Sequence, residues 1–318
     1  MGTMLSEIKD TLKDASFTTF ELLKIMIPVS IIVKLMKEFG IIEIVGSGLA
    51  PVTELVGLPG DYGLVWATAM ITNIYGGLIV FFNLAIENPL TVAQVTVLGA
   101  LVLLAHNLPV EVRIAQKAGA RPWFMLVLRI FGAFLLGLIL HLLFTFFNLY
   151  QTRSAPLWNP GYSDPSLLFW ILGEVRTYLM IFIIILGLMF LMKILKKSSI
   201  IDRLNNLLEP ALKVLGMNKN AAPITMIGMT LGLAYGGGLI IKEAKSGILS
   251  KKDAFLSLSL MGLSHSLIED TLLLLAIGAS LSGILLGRVV FSIVVMFILI
   301  KCINCLSKDT FHKFFISR

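Results

Sequence analysis

His106-Asn107-Leu108-Pro109-Val110-Glu111 returns 159 residues later as His265-Ser266-Leu267-Ile268-Glu269-Asp270, a shift of half the 318-residue chain. Chance agreement in apolar sequence involves Leu and Ile, so a histidine followed five residues on by a carboxylate carries weight. The same shift pairs Lys34 with Lys193, Ile41-Ile42-Glu43 with Ile200-Ile201-Asp202, Leu49 with Leu208, Pro51 with Pro210, Gly57 with Gly216 and Met70 with Met229. A slip of one residue then sets Tyr75-Gly76-Gly77-Leu78-Ile79 against Tyr235-Gly236-Gly237-Gly238-Leu239-Ile240. Self-similarity at one fixed spacing marks a duplication.

The solvent of this duplicated chain follows from composition. Hydrophobic residues make up 57% and charged residues only 14%, against roughly a quarter charged in a soluble domain. Mean hydropathy is +0.91, which excludes a water-soluble globule. Apolar runs of about 18 residues or more recur, each long enough to cross a hydrocarbon core as a helix. The reading is an all-α polytopic membrane protein. It comprises a first repeat over 1–149, a linker over 150–166 with Pro156, Pro160 and Pro165, and a second repeat over 167–318.

Each repeat opens with a long apolar helix (18–38 and 167–195), followed by a mixed stretch suited to an interfacial helix (41–57 and 200–216). A glycine-interrupted segment comes next (62–86 and 221–241), then a segment with a polar break (91–118 and 253–284), then a last span (122–148 and 288–306). If the glycine-interrupted segments cross the membrane, Lys and Arg divide 13 to a side. If they dip in and return, only Lys34, Lys37, Arg153, Arg176 and Arg288 lie outside and the other 21 lie inside. Basic residues concentrate in cytoplasmic loops. The count therefore selects two inverted repeats, each with three crossings, an interfacial helix and a re-entrant hairpin. Both termini are expected in the cytoplasm and the whole chain in a bacterial inner (plasma) membrane. The charged N-terminal residues Glu7, Lys9, Asp10, Lys13 and Asp14 are unlike a cleaved signal.

Inverted repeats with interrupted helices are the architecture of secondary transporters, because irregular backbone at membrane depth survives where it lines a cavity or is buried in protein. Function is therefore expected at the breaks. Pro109 frees backbone carbonyls near His106, and ionisable groups at that depth are functional candidates by default. The candidate solute- or ion-binding residues are His106, Asn107 and Glu111 with His265, Ser266, Glu269 and Asp270. His106 and His265 are also the candidate metal ligands. The hairpin tips add Thr72, Asn73, Tyr75, Gly76 and Gly77, and Tyr235, Gly236 and Gly237, where glycine permits a sharp turn and close approach of a ligand. The competing structural reading makes the histidines polar glue between repeats and the glycines packing residues.

Arg129 and His141 read as anchoring or packing residues, and Cys302 with Cys305 as two small residues at a helix end, lacking a second ligand pair. No nucleophile with a base, and no metalloprotease motif, points to an enzyme. No cofactor is expected. The charge of +7 lies next to apolar spans and not in a separate basic domain, so the expected partners are the lipid bilayer, a small polar solute or cation, and a second copy of the chain, with no nucleic acid.

The order of a lead helix, an interfacial helix with Pro51 and Gly57, the hairpin Ala69-Met70-Ile71-Thr72-Asn73-Ile74-Tyr75-Gly76-Gly77 and a broken helix, all repeated, resembles the Gate or nucleoside-recognition domain family. That family includes part of the concentrative nucleoside transporters, the membrane part of the ferrous iron transport B proteins and the spore maturation membrane proteins. The resemblance implies two Gate units and a transporter of a nucleoside-like solute or an ion, driven by a proton or cation gradient. The alternatives are a non-transporting membrane assembly protein and a divalent-metal permease.

Overall fold

The computed structural model describes residues 2–157, 166–198, 221–246 and 248–317, together with 200, 203, 206, 210, 212, 215 and 217. The described residues are helical, apart from loops and the isolated bridges Thr91–Arg153 and Ala120–Ile316. The first half holds α1 (Gly2–Glu38), α2 (Ile41–Thr53), α3 (Gly63–Ile71), α4 (Ile74–Ala85), α5 (Val92–Leu104), α6 (Leu108–Lys117) and α7 (Pro122–Phe146). The second holds α8 (Leu167–Lys197), α9 (Ala221–Leu231), α10 (Leu233–Lys245), α11 (Lys251–Ser264), α12 (Glu269–Ala276), α13 (Arg288–Asn304) and α14 (Lys308–Phe315). The expected interfacial stretch 200–216 lies mostly outside the described residues, as does 158–165 of the linker.

Local chemistry sets the boundaries. Thr91 and Gln94 close a capping box at the start of α5, and the side chains of Ser250 and Asn73 accept backbone N–H groups that open α11 and α4. Pro122 sits in the first turn of α7, where its missing N–H costs nothing.

Five segments are long and apolar enough to cross a membrane: Val92–Lys117, Pro122–Phe146, Leu167–Leu195, Lys251–Ala276 and Ser282–Asn304. A sixth arises if Ile41–Val56 and Gly60–Ile71, bent by 94°, count as one span. The lead helix α1 is not among them. The two broken segments form the centre: Val92–Lys117 is 83% buried and Lys251–Ala276 is 78% buried, against 17–33% for the other three. Burial on all sides explains why α5 reads as apolar around most of its circumference.

The lead helices α1 and α8 pack antiparallel: Ser30 Oγ donates to Glu174 Oε2 (2.8 Å), while Lys193 Nζ donates to Thr11 Oγ1 (2.7 Å), so numbers rise on one helix as they fall on the other. The α3–α4 and α9–α10 pairs are hairpins. A Cβ at Gly77 would meet Ala69 and Val65, and one at Gly236 would meet the Cα of Gly228. Eight residues along one straight helix lie about 12 Å apart, so the chain folds back at Asn73 and at Gly232. These contacts also correct the register read from sequence. Gly77 is equivalent to Gly236 at the common shift, not to Gly237 across a one-residue slip, because the close approach of the two arms needs a small residue at that level and three successive glycines offer several alignments.

Candidate functional site

The polar breaks fall at equivalent places. Asn107 (φ 49°) separates α5 from α6, and Ser266 (φ 47°) lies between α11 and α12. A left-handed backbone costs a non-glycine residue roughly 1–2 kcal/mol. It is kept at both breaks, where the chain docks on the hairpins: Asn107 N–H donates to Ala69 O (2.9 Å) and Leu267 N–H donates to Met229 O (2.8 Å).

Each break exposes carbonyls that the helix no longer uses, and an arginine fills each gap. Arg129 of α7 donates through Nε to Leu104 O (2.8 Å) and through Nη2 to His106 O (3.0 Å). Arg288 of α13 donates through Nε to Leu263 O (3.0 Å) and through Nη2 to His265 O (2.9 Å), and reaches across to Leu103 O (3.2 Å). Both arginines are fully buried. Their third nitrogens differ: Arg129 Nη1 pairs with Glu111 Oε2, whereas Arg288 Nη1 and Asp270 Oδ2 are both buried without a hydrogen-bond partner. Aspartate is one methylene shorter than glutamate.

The histidines meet between the halves. His106 Nδ1 faces Val102 O and His265 Nδ1 faces Met261 O, each at 2.9 Å. A carbonyl only accepts, so each Nδ1 carries a hydrogen and each ring turns its Nε2 toward the centre. The two Nε2 atoms are 3.4 Å apart. Glu111 Oε1 lies 3.6 Å from His106 Nε2 and 3.4 Å from His265 Nε2, and Asp270 Oδ2 lies 3.8 Å from His106 Nε2. Two imidazole nitrogens and two carboxylate oxygens thus converge, in residues at most 8% exposed. The guanidinium groups of Arg129 and Arg288 flank the centre.

The structure brings His106, Glu111, His265 and Asp270 together. Asn107 and Ser266 instead shape the backbone, their carbonyls accepting from Glu111 N–H and Asp270 N–H. Glu269 is half-buried and stands, with Asp270, near enough to Tyr75 to act on it electrostatically. Tyr75 is buried, Asn73 Oδ1 caps Gly76 N–H at 2.9 Å, and Thr72 Oγ1 donates to Thr68 O at 2.7 Å. A Cβ at Gly76 would strike Thr72, and one at Gly237 would strike Ile114 of α6 in the other half. The side chain of Tyr235 lies outside the described residues. Cys302 and Cys305 are exposed free thiols.

Three contributors escape a sequence reading. Arg129 reads as an anchor and Arg288 as an outside loop charge; the structure corrects both, burying them against the breaks. The signal was present, since the two are separated by the common shift. Glu174 is the third. It is a buried carboxylate on α8 that accepts from Ser30 and from Asn83 Nδ2 (3.2 Å), with Tyr178 donating onward to Ser30 Oγ (2.7 Å).

Residues 178–284 match the family model described as Gate, nucleoside recognition. The second half carries a Gate domain. That Gate domain runs from within α8 through the α9–α10 hairpin and the His265 break, and the first half repeats its hairpin and its break. Over 277 residues the chain is 28% identical to an uncharacterized membrane protein, YvoD, of Bacillus subtilis (strain 168), covering 86% of this chain and 87% of that protein. No solved structure matches the chain.

Proposed function

We propose that this Gate-domain membrane protein is a secondary transporter of the bacterial plasma membrane that moves a small polar solute, nucleoside-like, or an ion, and that the coupling or transported cation is held by His106, His265, Glu111 and Asp270. The observation that carries the reading is the convergence of two imidazoles and two carboxylates, enclosed where two interrupted helices meet. Ionisable groups at such depth mark ion pathways in membrane proteins. Equivalent helices α1 and α8 run antiparallel, which supports inverted repeats over 1–149 and 167–318 joined by the 150–166 linker; the distribution of Lys and Arg is what supports three crossings each, re-entrant hairpins and both termini in the cytoplasm. The hairpins abut the breaks through Ala69 and Met229, so a solute bound at the tips would be sensed at the histidines. No catalytic chemistry is assigned.

Reconstitution into liposomes tests this. Proton and sodium gradients are imposed while charge movement and uptake of nucleosides, bases and metal ions are followed. Uptake is expected in the native protein, with a loss of about tenfold or more in His106→Gln and His265→Gln proteins that remain folded and monodisperse. Native protein that moves nothing, while the histidine variants change its oligomeric state, overturns the transporter in favour of the assembly protein.

A further inference from the structure

The central cluster has metric properties beyond its charge. A proton shared between two nitrogens, or between nitrogen and carboxylate, draws the heavy atoms to about 2.7–3.2 Å. The separations here are longer, at 3.4, 3.4, 3.6 and 3.8 Å. The two shortest match another figure. Ligand atoms about 2.0–2.1 Å from a tetrahedral metal ion stand roughly 3.3–3.4 Å from one another along the tetrahedron's edges. Ligand atoms of His106, His265 and Asp270 all lie within 4.8 Å of each other.

Deepening the cation reading, on which this step rests, we propose that the cation is a divalent transition-metal ion of the zinc, iron or manganese kind, bound by His106 Nε2, His265 Nε2, Glu111 Oε1 and Asp270 Oδ2. Two imidazoles exclude the oxygen-only preference of calcium and magnesium and suit borderline transition metals. The surroundings are arranged as they are around metal-binding histidines. Each Nδ1–H is fixed by a backbone carbonyl, which aims Nε2 inward. Arg129 occupies Glu111 Oε2 and leaves Oε1 free. Asp270 Oδ2, buried and unpartnered, is a ligand atom in waiting. The two guanidinium groups beside the ion weaken its hold, as a carrier requires of an ion that must leave again.

Cobalt is the probe, because tetrahedral Co2+ has intense visible absorption and octahedral Co2+ only weak bands. The full-length protein in detergent, carrying Cys302→Ser and Cys305→Ser to remove thiol ligands, is expected to bind one Co2+ per chain with the tetrahedral spectrum and to release it to added zinc. His106→Ala and His265→Ala should each weaken binding by at least about tenfold. Should either fail to fold, Asp270→Asn, which removes a ligand atom and leaves the break hydrogen bonds in place, should shift the spectrum. A weak octahedral spectrum, or binding indifferent to all three substitutions, overturns the proposal. The outcomes separate the two readings: protein that binds no Co2+ yet moves protons or solute in liposomes loses the metal and keeps the transporter, and protein that binds Co2+ but moves nothing does the reverse.

Discussion

The break after α5 and the break after α11 share a left-handed residue, a histidine and a bracing arginine, and their carboxylates differ by one methylene. Glu111 reaches Arg129; Asp270 leaves Arg288 Nη1 without a partner. The lead helices differ in the same way, since the position equivalent to Glu174 is Ala15. In a duplicated protein, what both halves keep is framework, and what one half has altered is where the two states of a moving part can differ in energy. The first break is closed by an ion pair and the second is left short of closure.

The largest effect should come from attacking the closed side. Arg129→Ala leaves Glu111 buried and unpaired and should cost about 3–5 kcal/mol. Arg288→Ala, which breaks no such pair, should cost about 1–3 kcal/mol. Denaturation in detergent compares them, and equal losses would abolish the asymmetry. Next, Gly236→Ala drives a Cβ onto the backbone of Gly228, while Gly77→Ala meets Ala69 and Val65. The first should cost about 2–3 kcal/mol and the second about 1–2 kcal/mol, read as midpoint shifts on heating. Asp270→Glu supplies the missing methylene and should raise stability by about 1.5 kcal/mol through a charge-assisted bond to Arg288. A lowered midpoint would mean that Arg288 Nη1 and Asp270 are not poised to pair. Ser30→Ala, which removes one of the donors on Glu174, should cost about 1 kcal/mol, and no cost would show that this knot is incidental to packing.

Much of this was legible because rare residues stand out against an apolar background. His106, Pro109 and Glu111 declare a break, and their recurrence declares the duplication. The arginines were hidden by what a lone arginine usually does in a span, which is to reach for the interface; only the common shift between Arg129 and Arg288 betrays them. Removing both buried arginines from the charge count leaves four basic residues outside and twenty inside, so the bias does not depend on them. Glu174 had no such signature, since its equivalent is alanine and its donors come from α1 and α4. The glycine register failed for the opposite reason, an excess of equivalent residues.

The meeting of His106 and His265 across the two halves also has a history in it. Neither half alone contains a finished centre, since each supplies one imidazole, one carboxylate and one arginine. On the inverted reading, an ancestral single copy could have worked only by inserting into the membrane in both orientations and pairing with its own reverse. Fusion then fixed the orientations, and only afterwards could Glu111 and Asp270, or Ala15 and Glu174, diverge. Residues 1–157 and 166–318 expressed as separate chains should accordingly bind cobalt when co-produced and not when alone; binding by either half alone would end that account.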